Sequence, residues 1–271
     1  MLYKSPFFIS VFFILVLFLI SPISYGQNSI VERADWVRYF DQFSAKGTIV
    51  VIDERGPYAK NWVFNNARAL KRYSPASTYK IPHTLFALDA GAVEDEFQVF
   101  EWDGIKRDYE LHNQNQDLRS AMQYSAIWVY EQFAKKIGKK RVQRYLREID
   151  YGNKDLHTAS GNYWVEGDLA ISAYEQVAFL KKLHRNQLPF SSLHQGIVKD
   201  IMQLDKGDTW TLCAKTGWDG GYGWWVGWVD WPTGPVFFAL NIDTPNKADD
   251  LYKREAIARV VLQSLDALPS G

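Results

Sequence analysis

Residues 209–241 read TWTLCAKTGWDGGYGWWVGWVDWPTGPVFFALN, and this stretch decides the fold. Three runs within it, at residues 209–215, 222–230 and 235–241, are rich in aromatic and β-branched residues, which favour strands. Gly, Asp and Pro residues separate the runs and are typical of tight turns. The stretch therefore predicts three adjacent strands of an antiparallel sheet.

Further sheet elements are predicted near the start of the chain. Residues 48–53 (TIVVID) have the pattern of a buried strand, and residues 62–64 (WVF) are predicted to pair with it in a hairpin. Apolar residues recur at helical spacing over residues 30–43, which predicts a helix before the first strand. The same spacing over residues 249–265 predicts a last helix whose apolar face can pack on the sheet.

A long helical stretch separates the two strand regions, with helices predicted at residues 118–137, 142–149, 172–184 and 191–203. The chain therefore indicates an α+β fold, specifically an α/β sandwich. In this fold an antiparallel sheet is flanked by N- and C-terminal helices and carries an inserted all-α subdomain. We predict a mixed subdomain at about residues 27–80 and 205–271, and a helical subdomain at about residues 81–204. A cleft between them is the expected place for a functional site.

Charge and cysteine content narrow the classes of function. The chain has 31 Lys and Arg against 31 Asp and Glu, so it lacks the basic excess typical of nucleic-acid-binding proteins. The single cysteine, Cys213, lies in an apolar run without a neighbouring histidine and is interpreted as a small buried residue. The five histidines never occur at the one-turn spacing of a helical zinc site, so no metal is expected.

Residues 1–26 differ from the rest of the chain and resemble a secretory signal. Lys4 gives a short positive start, residues 7–20 are apolar apart from Ser10, and cleavage is predicted after Gly26. The alternative, a retained membrane anchor, is disfavoured because the apolar core is short for a span of about 20 residues. We therefore expect a mature domain at residues 27–271, located in the periplasm and without membrane attachment.

Ser77-Thr78-Tyr79-Lys80 is the first motif that can carry chemistry. It is predicted to open a helix, where Ser77 and Lys80 project on the same face because three residues make nearly one turn. Unpaired backbone N–H groups in the first helical turn also favour negative charge near Ser77. Lys80 can act as a base for Ser77 only if burial lowers its pKa. The alternative is an N-capping serine beside a solvated lysine.

Lys215-Thr216-Gly217-Trp218 is the second motif, and it closes the first strand of the meander. Lys215 and Thr216 offer a cation and a hydroxyl that suit a substrate carboxylate. Gly217 allows close approach to the backbone. The amide of Trp218 is expected to face the amide of Ser77 as an oxyanion pair, which would stabilise a tetrahedral acyl-transfer intermediate.

With further residues, these motifs resemble the penicilloyl-serine transferase superfamily and, within it, the class D β-lactamases or oxacillinases. The resemblance spans about Trp36 to Arg254. The additional elements that carry it are Ser125-Ala126-Ile127, Tyr151-Gly152-Asn153, Tyr163-Trp164-Val165-Glu166-Gly167 and Arg254. It implies a β-lactamase/transpeptidase-like fold, hydrolysis of β-lactam antibiotics and antibiotic resistance. It implies no metal and no organic cofactor.

The resemblance also implies a role for each catalytic residue. Ser77 matches the acylated nucleophile, and Lys80 matches a lysine that carries an N-carbamate (N6-carboxylysine) formed with CO2. Ser125 is similar to the serine that relays a proton to the leaving nitrogen, with Lys215 completing the relay. Trp164 matches the residue whose indole N–H holds the carbamate.

For substrate binding, the resemblance implies the residues Ile127, Thr216, Gly217, Trp218 and Arg254. Arg254 resembles the guanidinium that receives the drug's carboxylate, in a bidentate geometry that a lysine does not reproduce. Two positions depart from the family pattern. Ile127 stands where Val is usual, and Tyr79 stands where Phe is common, adding a hydroxyl that needs a partner if it is buried.

The expected substrates are penicillins and oxacillin-type drugs, with cephalosporins as further candidates, and the expected assembly is a monomer or a homodimer. Two other functions share such a site. One is a penicillin-sensing ectodomain that stays acylated, and the other is a small D,D-peptidase. Continuous turnover of a β-lactam would distinguish the hydrolase from the sensor, and peptide hydrolysis exceeding lactam hydrolysis would indicate the peptidase.

Overall fold

The computed structural model describes Met1, residues 29–157 and residues 162–269, so the predicted signal sequence, apart from Met1, lies outside the described residues. Within these ranges seven strands form one sheet: β1 (Ile30–Glu32), β2 (Gly47–Asp53), β3 (Lys60–Phe64), β4 (Gln203–Lys206), β5 (Thr211–Trp218), β6 (Tyr222–Trp231) and β7 (Gly234–Asp243). Their order is β1-β3-β2-β7-β6-β5-β4. The pairs are antiparallel, except that β1 lies parallel to β3.

The described α-helices are α1 (Val37–Asp41), α2 (Asn66–Ala69), α3 (Lys80–Asp89), α4 (Leu118–Gln123), α5 (Ile127–Ile137), α6 (Lys139–Glu148), α7 (Ala173–His184), α8 (Ser192–Ile201) and α9 (Leu251–Gln263). Helices α2 to α8 follow β3 and precede β4, so helices interrupt one sheet in sequence. The predicted α+β fold and the predicted meander of β5, β6 and β7 are confirmed. None of the helices in the described ranges has both the length and the apolar character that crossing a membrane requires.

The sheet is buried on both faces, and β6 shows why. Trp224, Val226 and Trp228 belong to the apolar core shared with the inserted helices. Trp225 and Val229, on the opposite face, belong to a second core with α1 and α9. Because side chains alternate between the faces of a strand, one aromatic-rich strand supplies both cores. The aromatic run in this strand therefore fills the interior of the sheet.

The predicted N-terminal helix over residues 30–43 is wrong at its start. Ile30–Glu32 forms the edge strand β1, and helical structure begins only with a 3-10 turn at Ala34–Trp36 that leads into α1. The carboxylate of Glu32 accepts hydrogen bonds from the amides of Asn65, at 2.7 Å, and Asn66, at 3.1 Å. Pairing with β3 and these bonds to the start of α2 override the helical spacing.

The single helix predicted over residues 118–137 is also wrong, because the structure divides it. A capping box of Asp117 and Ser120 begins α4, which ends at Gln123. Ser125 then adopts a left-handed backbone conformation with φ of 58°, and α5 begins at Ile127. A helix cannot continue through such a residue. Ser125 therefore lies in a turn between two helices.

The end of the helix predicted over residues 191–203 needs the same kind of correction. Ser191 caps α8 through the amide of His194, but the helix ends at Ile201. Gln203 already belongs to β4 and pairs with Cys213 of β5. The hydrogen bonds offered by the free edge of β5 decide the conformation here, which the local sequence pattern does not reveal.

Gly227 of β6 should be sensitive to substitution, because the paired strand β5 leaves no space for a side chain there. A Cβ at this position would overlap the carbonyl oxygen of Cys213 and lie 2.8 Å from the Cα of Ala214. We expect Gly227→Ala to lower the free energy of unfolding by about 1–3 kcal/mol, as overpacking does. Gly196, inside α8, has no atom within 4 Å of such a Cβ, so Gly196→Ala should stabilise the protein by about 1 kcal/mol. Equal changes in the free energy of unfolding of Gly227→Ala and Gly196→Ala, measured by denaturant titration, would contradict this explanation.

Candidate active site

The nucleophile candidate Ser77 lies in a strained 3-10 turn at Ala76–Tyr79, immediately before α3. Ala76 has a positive φ of 47°, a conformation that costs free energy in a residue with a Cβ. Thr78 holds the turn closed. Its amide donates to the carbonyl of Pro75 at 3.1 Å, and its hydroxyl donates to the same carbonyl at 2.6 Å. Gln176 of α7 donates in turn to the Thr78 hydroxyl at 2.7 Å, so the inserted helices brace the turn.

Lys80 begins α3 and faces Ser77, as the motif predicts. Its Nζ lies 2.9 Å from the Ser77 Oγ. The lysine side chain is fully buried, whereas Ser77 is half-buried and so remains accessible. The alternative of an exposed, solvated lysine is therefore wrong.

Burial dominates the electrostatics of Lys80. Loss of hydration lowers the pKa of the Lys80 amine to about 7, and the negative charge of Glu131 opposes this only in part. The ring of Tyr130 lies 5.1 Å from the amine. The Tyr130 hydroxyl is 3.0 Å from that of Thr84, which donates to the carbonyl of Lys80 at 2.8 Å. A neutral amine therefore coexists with its ammonium form near neutral pH, one hydrogen bond from a serine hydroxyl.

Trp164 packs against two neighbours of Lys80 in the sequence. Its indole ring stacks on Tyr79 at a centroid distance of 5.8 Å and meets His83 edge-on at 5.1 Å. The side chain is fully buried, and within residues 29–157 and 162–269 its Nε1 has no hydrogen-bond partner. A buried indole N–H without an acceptor is costly unless another group accepts it.

Ser125 and Lys215 form a second serine–lysine pair. The left-handed turn at Ser125 places its Oγ in contact with the Nζ of Lys215, which also donates to the carbonyl of Thr216 at 3.1 Å. Burial lowers the pKa of Lys215 well below its ordinary value, and the charges of Lys80 and Arg254 lower it further. The two lysines therefore disfavour each other's charge, so protonation of one amine makes protonation of the other less favourable.

Gly217 brings the end of β5 against the Ser77 turn. A Cβ on Gly217 would lie 3.0 Å from the Pro75 carbonyl oxygen and 3.2 Å from the Thr78 amide nitrogen. The glycine thus makes room for the turn that carries the nucleophile. The next residue, Trp218, is anchored by a 3.1 Å hydrogen bond from its indole to the Thr244 hydroxyl.

Arg254 approaches the same strand end from α9. It donates to the carbonyl of Gly217 at 2.9 Å and to that of Leu251 at 2.7 Å. Gly223 leaves it space, because a Cβ there would lie 2.7 Å from the Arg254 Cδ. Burial lowers the pKa of Arg254 to about 10, so the side chain stays cationic near neutral pH. No ion pair engages this guanidinium in the described part of the chain.

Two further predicted residues lie at the surface of the site. Ile127 is the first residue of α5, and 36% of it is exposed. Thr216 is half-buried on β5, between Lys215 and Gly217. Cys213 is buried on the same strand, and burial raises the pKa of its thiol to about 12. Over the described ranges, the structure contains no group of three or more His, Cys, Asp or Glu residues that could hold a metal ion.

The geometry can be compared with known proteins. Residues 43–263 match the family described as the penicillin binding protein transpeptidase domain. β-Lactamase OXA-3 of Pseudomonas aeruginosa is 61% identical over 252 residues, which cover 93% of this chain and 92% of that protein. β-Lactamase OXA-2 of Salmonella typhimurium is 61% identical over 253 residues, with the same two coverages of 93% and 92%. The chain belongs to the class D β-lactamases.

A solved class D β-lactamase, YbXI from Nostoc, supports the same family. It superposes with a TM-score of 0.82 at 34% sequence identity, over 86% of this chain and 99% of that one. The class D fold is therefore confirmed by sequence and by structure.

Several residues around Lys80 in this class D β-lactamase were not among those predicted from the sequence. Tyr130, Thr84 and His83 contribute to the surroundings of the amine. Burial and the charge of Lys80 lower the pKa of His83 to about 3, so His83 stays neutral. Thr84 and His83 follow Lys80 at one-turn spacing on α3, a signal that could have identified them. Tyr130 comes from α5, and only the packing of α5 on α3 brings it there.

The pH dependence of the free energy of unfolding should reveal that the Lys80 amine is desolvated in the folded protein. The pKa of Lys80 is about 7 in the folded protein and near the ordinary 10.5 when unfolded, so the unfolded state binds more protons between these values. In CO2-free buffer, we expect Lys80→Met to raise the free energy of unfolding below pH 7 by on the order of 4 kcal/mol, since one pKa unit corresponds to about 1.4 kcal/mol. The gain should decline as the pH rises towards 10.5.

Lys140, exposed on α6, supplies the control variant Lys140→Met. Both variants should be measured by denaturant titration from acidic to alkaline pH. A pH-independent difference between Lys80→Met and the parent protein would mean that Lys80 is an ordinary ammonium in the folded state.

Proposed function

We propose that this class D β-lactamase hydrolyses β-lactam antibiotics through an acyl-enzyme on Ser77, and that deacylation depends on N-carboxylated Lys80. The observation that carries the proposal is the fully buried Lys80 amine at 2.9 Å from the Ser77 hydroxyl. A serine becomes a nucleophile when a neighbouring group can take its proton. An amine with a pKa of about 7 is partly unprotonated at neutral pH and meets that need.

Acylation begins when the Ser77 Oγ attacks the lactam carbonyl carbon and its proton passes towards Lys80. The backbone N–H groups of Ser77 and Trp218 are proposed to hold the oxyanion. This assignment is supported by the close approach of Gly217 to the Ser77 turn. As the lactam C–N bond breaks, the nitrogen takes a proton from the Ser125 hydroxyl, and Lys215 resupplies Ser125 through their contact.

The substrate carboxylate is proposed to bind Arg254 and Thr216. The Arg254 guanidinium is cationic, lies at the strand end and has no ion-pair partner among the residues that the structure describes. Thr216 follows Lys215 on the same strand and adds a hydroxyl. Ile127, partly exposed at the start of α5, offers apolar contact to the rest of the drug.

The surroundings of Lys80 fit a carbamate. Only an unprotonated amine can attack CO2, and burial of Lys80 supplies one. The unpartnered, buried Trp164 Nε1 is a hydrogen-bond donor suited to a carbamate oxygen. When formed, the carbamate supplies an oxygen base that can activate water for deacylation. Without that base, the site would trap the drug as an acyl-enzyme.

Localisation in the periplasm is proposed from residues 1–26, which have the charge and apolar pattern of a secretory signal. There the enzyme would meet β-lactams before they reach their targets. Penicillins and oxacillin-type drugs are the proposed substrates, with cephalosporins as further candidates.

Replacement of Ser77 tests the nucleophile. We expect Ser77→Ala to abolish covalent labelling by a penicillin, detected as the mass of the intact protein plus drug, because it removes the hydroxyl that contacts the Lys80 amine. Ser192→Ala, at the exposed start of α8, is the control and should label fully. Labelling of Ser77→Ala at the parent rate would refute the assignment.

Dependence on CO2 tests the proposed base. In CO2-depleted buffer near pH 7, Lys80 should lack the carbamate while part of the amine stays neutral, so a chromogenic cephalosporin should acylate Ser77 in an initial burst and turnover should then slow. Added bicarbonate should restore continuous turnover and raise its rate by about a hundredfold or more, the scale of a general base. Lys80→Ala should not recover. If bicarbonate does not change the turnover of the parent enzyme, the carbamate is contradicted. A single stoichiometric burst under every condition would instead indicate a sensor.

A further inference from the structure

The hydroxyl of Tyr79 has a buried partner. It lies 3.0 Å from the hydroxyl of Tyr163, and the exposed fractions of the two residues are 0% and 8%. Burial raises the pKa of both phenols above the ordinary value of 10.0, so both stay protonated at neutral pH. One hydroxyl donates and the other accepts, and the hydrogen bond persists wherever the enzyme works.

This hydrogen bond joins the nucleophile motif to the segment that carries Trp164. Tyr79 stands between Ser77 and Lys80, and Tyr163 directly precedes Trp164. The Trp164 indole packs against both phenols, whose own ring centroids are 5.5 Å apart. It stacks on the Tyr79 ring at 5.8 Å with an interplanar angle of 21°, and it meets the Tyr163 ring edge-on at 4.9 Å and 89°. Any movement of one phenol relative to the other must therefore displace the indole.

The backbone of Trp164 is fixed separately. The Ser74 hydroxyl donates to the Trp164 carbonyl at 2.9 Å, and the Ser74 carbonyl accepts a 2.8 Å hydrogen bond from the Trp224 indole of β6. With the backbone held from the sheet, the remaining freedom of Trp164 is the orientation of its ring. Tyr79, Tyr163 and His83 all contact the indole, and the hydrogen bond between the two tyrosines fixes two of these three contacts relative to each other.

We propose that the Tyr79–Tyr163 hydrogen bond is a positioning device that aims the Trp164 indole N–H and thereby sets the affinity of Lys80 for CO2. The inference rests on the proposed carbamate of Lys80. It makes Tyr79 and Tyr163 positioning residues, since neither hydroxyl needs to touch the carbamate. Groups that orient the ligands of a metal ion commonly change the metal affinity by about 10–100-fold, and we expect a comparable influence on CO2 affinity here.

The pair predicts an unusual pattern among variants. Tyr79→Phe leaves the Tyr163 hydroxyl buried without its partner, and Tyr163→Phe does the same to Tyr79. An unpaired buried hydroxyl is costly, whereas replacing both partners with apolar groups is close to neutral. Each single variant removes the hydrogen bond and should therefore release the indole from its fixed orientation. The Tyr79→Phe/Tyr163→Phe double variant lacks the same single hydrogen bond, so it should be more stable than either single variant but should displace the indole about as much as one of them.

The test measures CO2 binding directly. Each purified protein is titrated with 13C-labelled bicarbonate at constant pH, and the 13C resonance of the lysine carbamate gives the CO2 dissociation constant. We expect each single variant to raise this constant about tenfold, the scale found for outer-shell partners of metal ligands. The double variant should raise it by about the same factor as either single variant, because all three lack the same hydrogen bond. Thermal unfolding of the same samples shows whether each variant is folded.

Tyr145→Phe is the matched control. Tyr145 is another buried tyrosine, and its hydroxyl donates to Asp89 at 2.6 Å on α3, without contact with Trp164. Its loss should lower the melting temperature and leave the CO2 dissociation constant unchanged. An unchanged constant in Tyr79→Phe, or losses that add in the double variant, would overturn the inference. Absence of the carbamate resonance from the parent enzyme would instead refute the proposed carbamate itself.

Discussion

Removal of water from the Lys80 amine is the constraint on which the site depends. An ammonium ion in contact with water would hold its proton too firmly to accept one from Ser77, and it would not react with CO2. Full burial of the side chain, with the ring of Tyr130 beside the amine, reverses this preference and lowers the pKa to about 7. Burying this lysine lowers the free energy of unfolding at neutral pH, because the same lysine is charged and fully hydrated in the unfolded chain.

The architecture supplies this environment by placing helices against one face of a sheet. Trp224, Val226 and Trp228 of β6 form the floor of a core whose other members come from the inserted helices. The Ser77 turn lies at the junction, braced by Gln176 from α7 and approached by Gly217 from β5. Two serine–lysine pairs result, Ser77 with Lys80 at the start of α3 and Ser125 with Lys215 between the inserted helices and β5. Repulsion between the two lysines links their protonation.

Departures from local sequence preference coincide with the site. Ala76 and Ser125 both adopt positive φ, and each stands at or beside a serine that faces a lysine. Strain of this kind persists only where the surrounding contacts fix the backbone. The division of the predicted helix at residues 118–137 has the same origin, since an unbroken helix would carry Ser125 along its surface and away from Lys215. The turn that the helical pattern did not predict is therefore the one that brings Ser125 to Lys215.

The sequence by itself determined the sheet meander, the α+β class, the family and the identity of the candidate residues, because these follow from local periodicity and from motifs with fixed spacing. The one-turn spacing of Ser77 and Lys80 also fixed their contact. Only the tertiary structure decided that Lys80 is buried, that Ser125 reaches Lys215, and that the hydroxyl of Tyr79 bonds to Tyr163. Desolvation and pairing between distant segments depend on which surfaces meet in three dimensions, and no local pattern records that.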